Sequence, residues 1–245
     1  MVLKKSNFHF HLSKIKIFMI SKNLYLLLFI RLNSKRLKNK GFMKIGKLKV
    51  IEIIIERCLK SVSKKNIIIT TTNKKIDDKI FNFAKKKKIK IFRGSENNVR
   101  KRTIDCCNTF KIRSFIRMNC DRPFVNYKQL SKMIKIFATN KYDIVTNCLS
   151  KNKIKGLALE IIKTQSFMSI NKQLKRSDKE HIFDYFYRNQ KDYKIYNFEQ
   201  IKKNFKKSLA LDNKYDLNNV RNLFKKFKFD YLISTQKVIE FLRRN

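Results

Sequence analysis

The sequence has no tryptophan, one proline and four glycines in 245 residues. No Pro-, Gly- or Ser-rich linker divides it, and no internal repeat is present. The scarcity of these residues comes with a surplus of Lys, Asn, Ile and Phe, the joint skew that A/T-rich codons produce. Negative charge is also scarce: 18 Asp and Glu stand against 60 Lys and Arg, a formal net charge of +42. Such a balance makes nucleic acid the first partner to consider. The lysines are scattered over every segment, however, and no aromatic-interleaved RNA motif, zinc spacing or helix-turn-helix accompanies them. Much of the charge is therefore compositional, and no specific nucleic acid is expected. The cysteines, Cys58, Cys106, Cys107, Cys120 and Cys148, form no CxxC pair and have no His at ligand spacing. That pattern excludes a zinc site and fits reduced thiols. The longest apolar run, Leu24–Ile30, is far too short to span a membrane. No cleavable leader pattern precedes it, so a cytoplasmic location is expected.

What the chain does have is a core. Hydrophobic residues make up 43%, enough for one α/β domain of ordinary size. Leu24–Ile30 is short, apolar and sharply bounded, as a buried strand is. Val50–Leu59 places Val50, Ile51, Ile54, Ile55, Cys58 and Leu59 on one helical face. Asn66–Thr72 is β-branched and predicts a strand. Helices are predicted over Ile76–Lys87, Asn98–Phe110 and Tyr127–Ala138. Strands are predicted over Ile89–Phe92, Ser114–Asn119 and Tyr142–Asn147. This alternation is the rhythm of a parallel sheet covered by helices. Right-handed crossovers then gather the loops after Ile30, Thr72, Phe92 and Asn119 on one edge, where open α/β sheets bind ligands. The second half is mixed, with strands at Leu157–Lys163 and near Tyr193–Asn197 and helices at Ser177–Asn189 and Tyr215–Phe227.

The loop after Ile30 is strongly basic, with Arg31, Ser34, Arg36 and Lys40 in the pattern R-x-x-S-x-R-L-x-x-K. Arg forks grip phosphate oxygens in pairs and Lys adds a mobile charge. The same loop contains Gly41–Leu48, "GFMKIGKL", which fits G-x-x-x-x-G-K. Leu48 stands where a P-loop needs Ser or Thr, and no strand runs into it, so a P-loop is rejected. The basic pattern resembles the first loop of the cytidylyltransferases that activate acidic sugars, namely the 3-deoxy-manno-octulosonate and acylneuraminate enzymes and their spore-coat polysaccharide homologues. The likeness continues in order through "IGKLKVIEIIIERC", "TTTNKKIDDKI", "IFRGSENNVRKR", "IRMNCDRPFV", "GLALEI", "DKEHIFDYF" and "LALDNKYDL". Ile30, Lys38, Asn39, Asn119, Cys120 and Ala158 depart from the family pattern.

The resemblance implies a Rossmann-like nucleotidyltransferase fold, a mostly parallel twisted sheet flanked by helices with a smaller mixed α/β insertion. It implies a domain over 19–227, a sugar-side and dimerisation segment near 156–191, and a homodimer. Residues 1–18 and 228–245 are expected to be extensions, the second helical, and Met19 is an alternative start. The implied reaction transfers CMP from CTP to an acidic or keto sugar with Mg2+, for surface polysaccharide synthesis. Arg31, Arg36 and Lys40 would hold the pyrophosphate, with Ser34, Thr72, Arg93, Gly94, Ser95, Asn97 and Asn119 also on the nucleotide. Glu160, Glu180 and His181 would face the sugar. Asp121 and Asp212 would hold the metal, a task that one or two carboxylates suffice for. As structural alternatives, Asp121 could cap a turn before Pro123 and Asp212 could cap the helix at Tyr215. Two other readings stay open: a family member that folds without turning over, and a basic nucleic-acid-binding protein.

Overall fold

The computed structural model describes residues 23–149, 153–170, 174–199, 205 and 207–244; the expected N-terminal extension lies outside them. Its centre is a seven-stranded sheet made of β1 (Leu24–Phe29), β2 (Ile67–Thr72), β3 (Lys90–Gly94), β4 (Ser114–Asn119), β5 (Ile144–Thr146), β6 (Glu160–Lys163) and β7 (Ile195–Asn197). The spatial order is β3-β2-β1-β4-β6-β5-β7. Strands β1 to β4 are mutually parallel, β6 runs antiparallel to β4 and β5, and β7 pairs parallel with β5. The sheet is thus mostly parallel, as expected, with the mixed part supplied by the second half of the chain.

β1 is central, so both its faces are covered and it reads as an unbroken apolar run. Leu26 and Leu28 point to one face, into a core with α1 (Val50–Cys58), α2 (Asp78–Lys86), α4 (Tyr127–Phe137), α7 (Lys214–Lys226) and α8 (Thr235–Arg244). Leu27 and Phe29 point to the other, against α3 (Val99–Thr109), α5 (Thr164–Met168) and α6 (Asp184–Arg188). There Phe115 meets Phe167 edge-on at 5.1 Å. Arg57 is fully buried within α1. It donates to the carbonyls of Val125, Tyr231 and Ile233 and to Thr235 Oγ1, all at 2.9–3.0 Å. The C-terminal segment is therefore stitched to the sheet-covering helix by one side chain.

The expected helix over Ser177–Asn189 is instead a 3-10 turn, Arg176–Lys179, and the short α6, separated by Glu180–Phe183. The cause is Asp178, which is buried. Its carboxylate accepts from the Lys175 N–H at 2.8 Å and from Arg188 Nη2 at 2.7 Å. These bonds close a compact turn in place of a continuous helical ladder. Among the described residues, no helix is long and apolar enough to cross a membrane.

Candidate active site

The strand order reverses around β1, whose neighbours are β2 and β4. Phe29 on β1 is in register with Asn119 on β4, so the loops after both strands start side by side. A cleft of about 480 Å3 opens there, where a crevice for ligands is expected in such sheets. The loop after β1 is shaped by backbone hydrogen bonds. The Leu32 N–H donates to Asp77 Oδ1 at 2.8 Å, and the Asn39 N–H returns to the Leu32 carbonyl at 2.8 Å. Asn39 has φ 57°, a left-handed conformation that Asn tolerates better than most residues. Lys40 follows, and its ammonium turns into the cleft.

A second pair of loops brings the carboxylates. The Leu211 N–H donates to the Asp121 carbonyl at 2.9 Å, and the Leu209 N–H to the Lys155 carbonyl at 2.8 Å. Gly156 has φ +96°, and a Cβ there would come within 2.3 Å of the Ala210 nitrogen. Only glycine lets these two stretches of backbone lie so close. Lys40 Nζ consequently reaches Asp121 Oδ2 at 2.8 Å and Asp212 Oδ1 at 3.9 Å. Asp212 also takes Arg36 at 2.8 Å and Lys155 at 2.7 Å. Burial alone would raise the Asp212 pKa. The Lys155 hydrogen bond and charge, with Arg36 and Lys40, prevail and hold the carboxyl below the usual range. On the opposite wall Arg31 Nη2 donates to Glu180 Oε1 at 2.8 Å.

Neither carboxylate caps the helix that follows it. The helix after Asp212 is capped by Asn213, which accepts from the Asp216 N–H. The helix after Pro123 is capped by Asn126. Asp121 pairs with Lys40, while Asp212 pairs with Arg36 and Lys155 and lies 3.9 Å from the same Lys40 ammonium. Two carboxylates that both lie within reach of the Lys40 ammonium fit a magnesium ion, which takes one or two carboxylates and completes its shell with water and phosphate. No cluster of three or more His, Cys, Asp or Glu suited to a metal occurs among the described residues, so an all-protein cage is absent there.

Of the residues singled out in the sequence, Arg31, Ser34, Arg36, Lys40, Asn119, Asp121, Glu180, His181 and Asp212 line the cleft together. The others lie elsewhere. Thr72 is buried and hydrogen-bonds Asp77 through its hydroxyl. Arg93 is spent on the Thr72 and Lys74 carbonyls and on Asp78. Gly94 is buried at a strand end, the Ser95 hydroxyl accepts from the Asn98 N–H, and Asn97 is exposed. Glu160 is buried; its carboxylate accepts from Arg117 at 3.0 Å and from the Tyr187 hydroxyl at 2.7 Å. The lining residues Val99, Arg102 and Arg117 escaped the sequence reading, as did Phe29, Lys35 and Leu37. Their signal was available for the first two, which fall inside the "RGSENNVRKR" motif. Cys120, at a position where the family pattern has glycine, also lines the cleft; burial keeps its thiol protonated.

The profile of the cytidylyltransferase family matches residues 26–240. The chain belongs to that family. It is accordingly a nucleotidyltransferase. It is 29% identical over 230 residues to the uncharacterized protein MJ1063 of Methanocaldococcus jannaschii, covering 88% of each chain. It is 26% identical over 224 residues to the spore coat polysaccharide biosynthesis protein SpsF of Bacillus subtilis, covering 88% of this chain and 92% of the relative. A solved cytidylyltransferase from Leptospira borgpetersenii superposes with a TM-score of 0.83 at 26% identity, over 91% of this chain and 94% of that one. CMP:2-keto-3-deoxy-manno-octonic acid synthetase, solved in complex with CTP, has a TM-score of 0.61 at 12% identity, over 83% and 99%. At that identity the likeness is one of fold.

Proposed function

We propose that this cytidylyltransferase transfers CMP from CTP to a hydroxyl of an acidic or keto sugar, for surface polysaccharide synthesis. The observation that supports the reading most is the convergence of Asp121 and Asp212 on Lys40 beside the basic loop. SpsF is a polysaccharide-biosynthesis protein by name, and the synthetase of the same fold was solved with CTP. In the reaction the sugar hydroxyl oxygen attacks the α-phosphorus and gives up its proton, a new P–O bond forms, the bond from the α-phosphorus to the α–β bridging oxygen breaks and pyrophosphate leaves. Such transfer depends on positioning and on neutralising spread negative charge. Arg31, Arg36 and Lys40 line the cleft as donors for the leaving pyrophosphate. Triphosphate oxygens would draw Lys40 and Arg36 away from their carboxylate partners, and Asp121 and Asp212 would be the residues to hold a divalent ion. Bound magnesium would supply charge neutralisation at the transferring phosphate. Glu180 and His181, on the far wall, are the residues assigned to the sugar; Glu160 acts there only through Arg117, because its own oxygens are occupied. A homodimer built around residues 156–191 belongs to the same reading, as does a cytoplasmic location.

The test is pyrophosphate release in the presence of magnesium, with each of CTP, UTP, ATP and GTP crossed against acidic sugars including 3-deoxy-manno-octulosonate and N-acetylneuraminate. Release with CTP and at least one acidic sugar is expected. Release only with neutral sugar phosphates, or only with another nucleotide, would overturn the assignment.

A further inference from the structure

Arg102 is a buried and poorly satisfied cation of the cleft. It is 3% exposed, yet it lines the cavity. Its Nη1 donates to the Ser95 carbonyl at 2.6 Å, and its Nε is buried with no partner. It forms no ion pair with any described residue. The carboxylates in its neighbourhood are committed: Asp77 accepts from the Leu32 N–H and from Thr72, and Glu180 accepts from Arg31. Burial first, and then repulsion by Arg31, draws the Arg102 pKa down to about 10. Arg57, equally buried on the other side of the sheet, spreads its donors over four acceptors; Arg100, on the same helix as Arg102, also leaves Nε and Nη1 unpartnered but lies over the Phe167 ring outside the cleft. A buried guanidinium without a counter-ion is costly, and a second one nearby makes it more so. The fold nevertheless makes room for it: a Cβ at Gly94 would come within 2.9 Å of Arg102 Cγ, so the glycine of "RGSE" lets the arginine stem cross the end of β3.

We propose that Arg102 is a nucleotide-binding residue whose missing counter-ion is a phosphate oxygen of the substrate, shared with Arg31. This rests on the triphosphate reading of the cleft. A phosphate group between the two guanidiniums would remove their repulsion and give Arg102 the charge-assisted hydrogen bonds that the protein withholds.

The experiment is calorimetric titration of the parent, Arg102→Met and Arg102→Lys with magnesium–CTP and with cytidine, beside the melting temperature without nucleotide. Lys101→Met, an exposed charge loss on the same helix, is the control. Arg102→Met is expected to bind CTP about ten- to a hundredfold more weakly, the usual effect of losing a hydrogen bond to a charged group. Cytidine binding should be unchanged, and the nucleotide-free protein should melt at the parental temperature or above it. Arg102→Lys should fall between. Parental CTP affinity in Arg102→Met would overturn the proposal. So would an equal loss for cytidine, which marks a base contact. So would a large fall in nucleotide-free melting temperature or failure to fold, either of which marks a structural arginine. A parent that binds none of the four nucleoside triphosphates would instead refute the underlying reading of the cleft.

Discussion

Asp121 and Asp212 are the residues on which the chemistry turns, and their surroundings separate function from stability. Asp121→Asn keeps size and hydrogen-bonding capacity but removes the charge. Its partner Lys40 retains Asp212 within 3.9 Å, and both members of the Lys40–Asp121 pair are partly open to solvent. Melting temperature should therefore move by no more than about 4 °C, roughly 1 kcal/mol. Pyrophosphate release should fall at least about a hundredfold, since charge neutralisation at a transferring phosphate provides several kcal/mol. Normal turnover in a variant of normal stability would remove Asp121 from the metal site. Asp212 adds a pH signature. Its folded pKa lies below the ordinary 3.8, so its contribution to stability is complete above that value and is lost as pH falls through the lower folded one. Asp212→Asn should accordingly flatten the acid side of the stability curve below about pH 4. A parent and variant with parallel curves there, followed by urea unfolding, would contradict the assigned shift.

At the scale of elements, Arg57 ties the C-terminal segment to α1. Arg57→Ala leaves three carbonyls, two of them in buried bonds, and the Thr235 hydroxyl without this donor and opens a cavity besides. We expect a loss of about 3 kcal/mol or more, read as a fall in melting temperature of about 6–12 °C. A variant melting with the parent would show the C-terminal segment to be independent of α1. This tie was not legible in the sequence, because an arginine in "IEIIIERC" reads as the polar side of an amphipathic helix. The central strands were legible to within a residue or two, since β1, β2 and β4 are apolar or β-branched runs closed by polar loops. The segment Ser177–Asn189 was not: its composition suits a helix, and the bonds that break it run from Asp178 to Lys175 and Arg188. Within the cleft, the basic loop and Asp121 could be read from motifs at strand ends and Asp212 from the "LALDNKYDL" motif before a helix. Arg102 lay inside a motif without standing out from its neighbours, and Arg117 carried no signal, because a chain with 60 Lys and Arg hides the few buried cations among many solvated ones.

At the scale of the whole molecule, a net charge of +42 acts as self-repulsion in the compact state. Raising the salt from about 50 to 300 mM shortens the Debye length and should raise the melting temperature of the nucleotide-free protein. A fall would mean that surface ion pairs outweigh the repulsion. The same charge attracts any polyanion, so affinity for a triphosphate is not evidence by itself; selectivity is. The most direct measurement is the thermal shift given by each of CTP, UTP, ATP and GTP with magnesium, at equal concentration and moderate salt. A ligand at about 100 times its dissociation constant adds about 2.7 kcal/mol, or about 5–10 °C for a chain of this size. A cytidylyltransferase cleft gives that shift with CTP and clearly less with the other three. Four equal shifts, shrinking together as salt is added, would show a basic surface that binds polyanions without choosing among them.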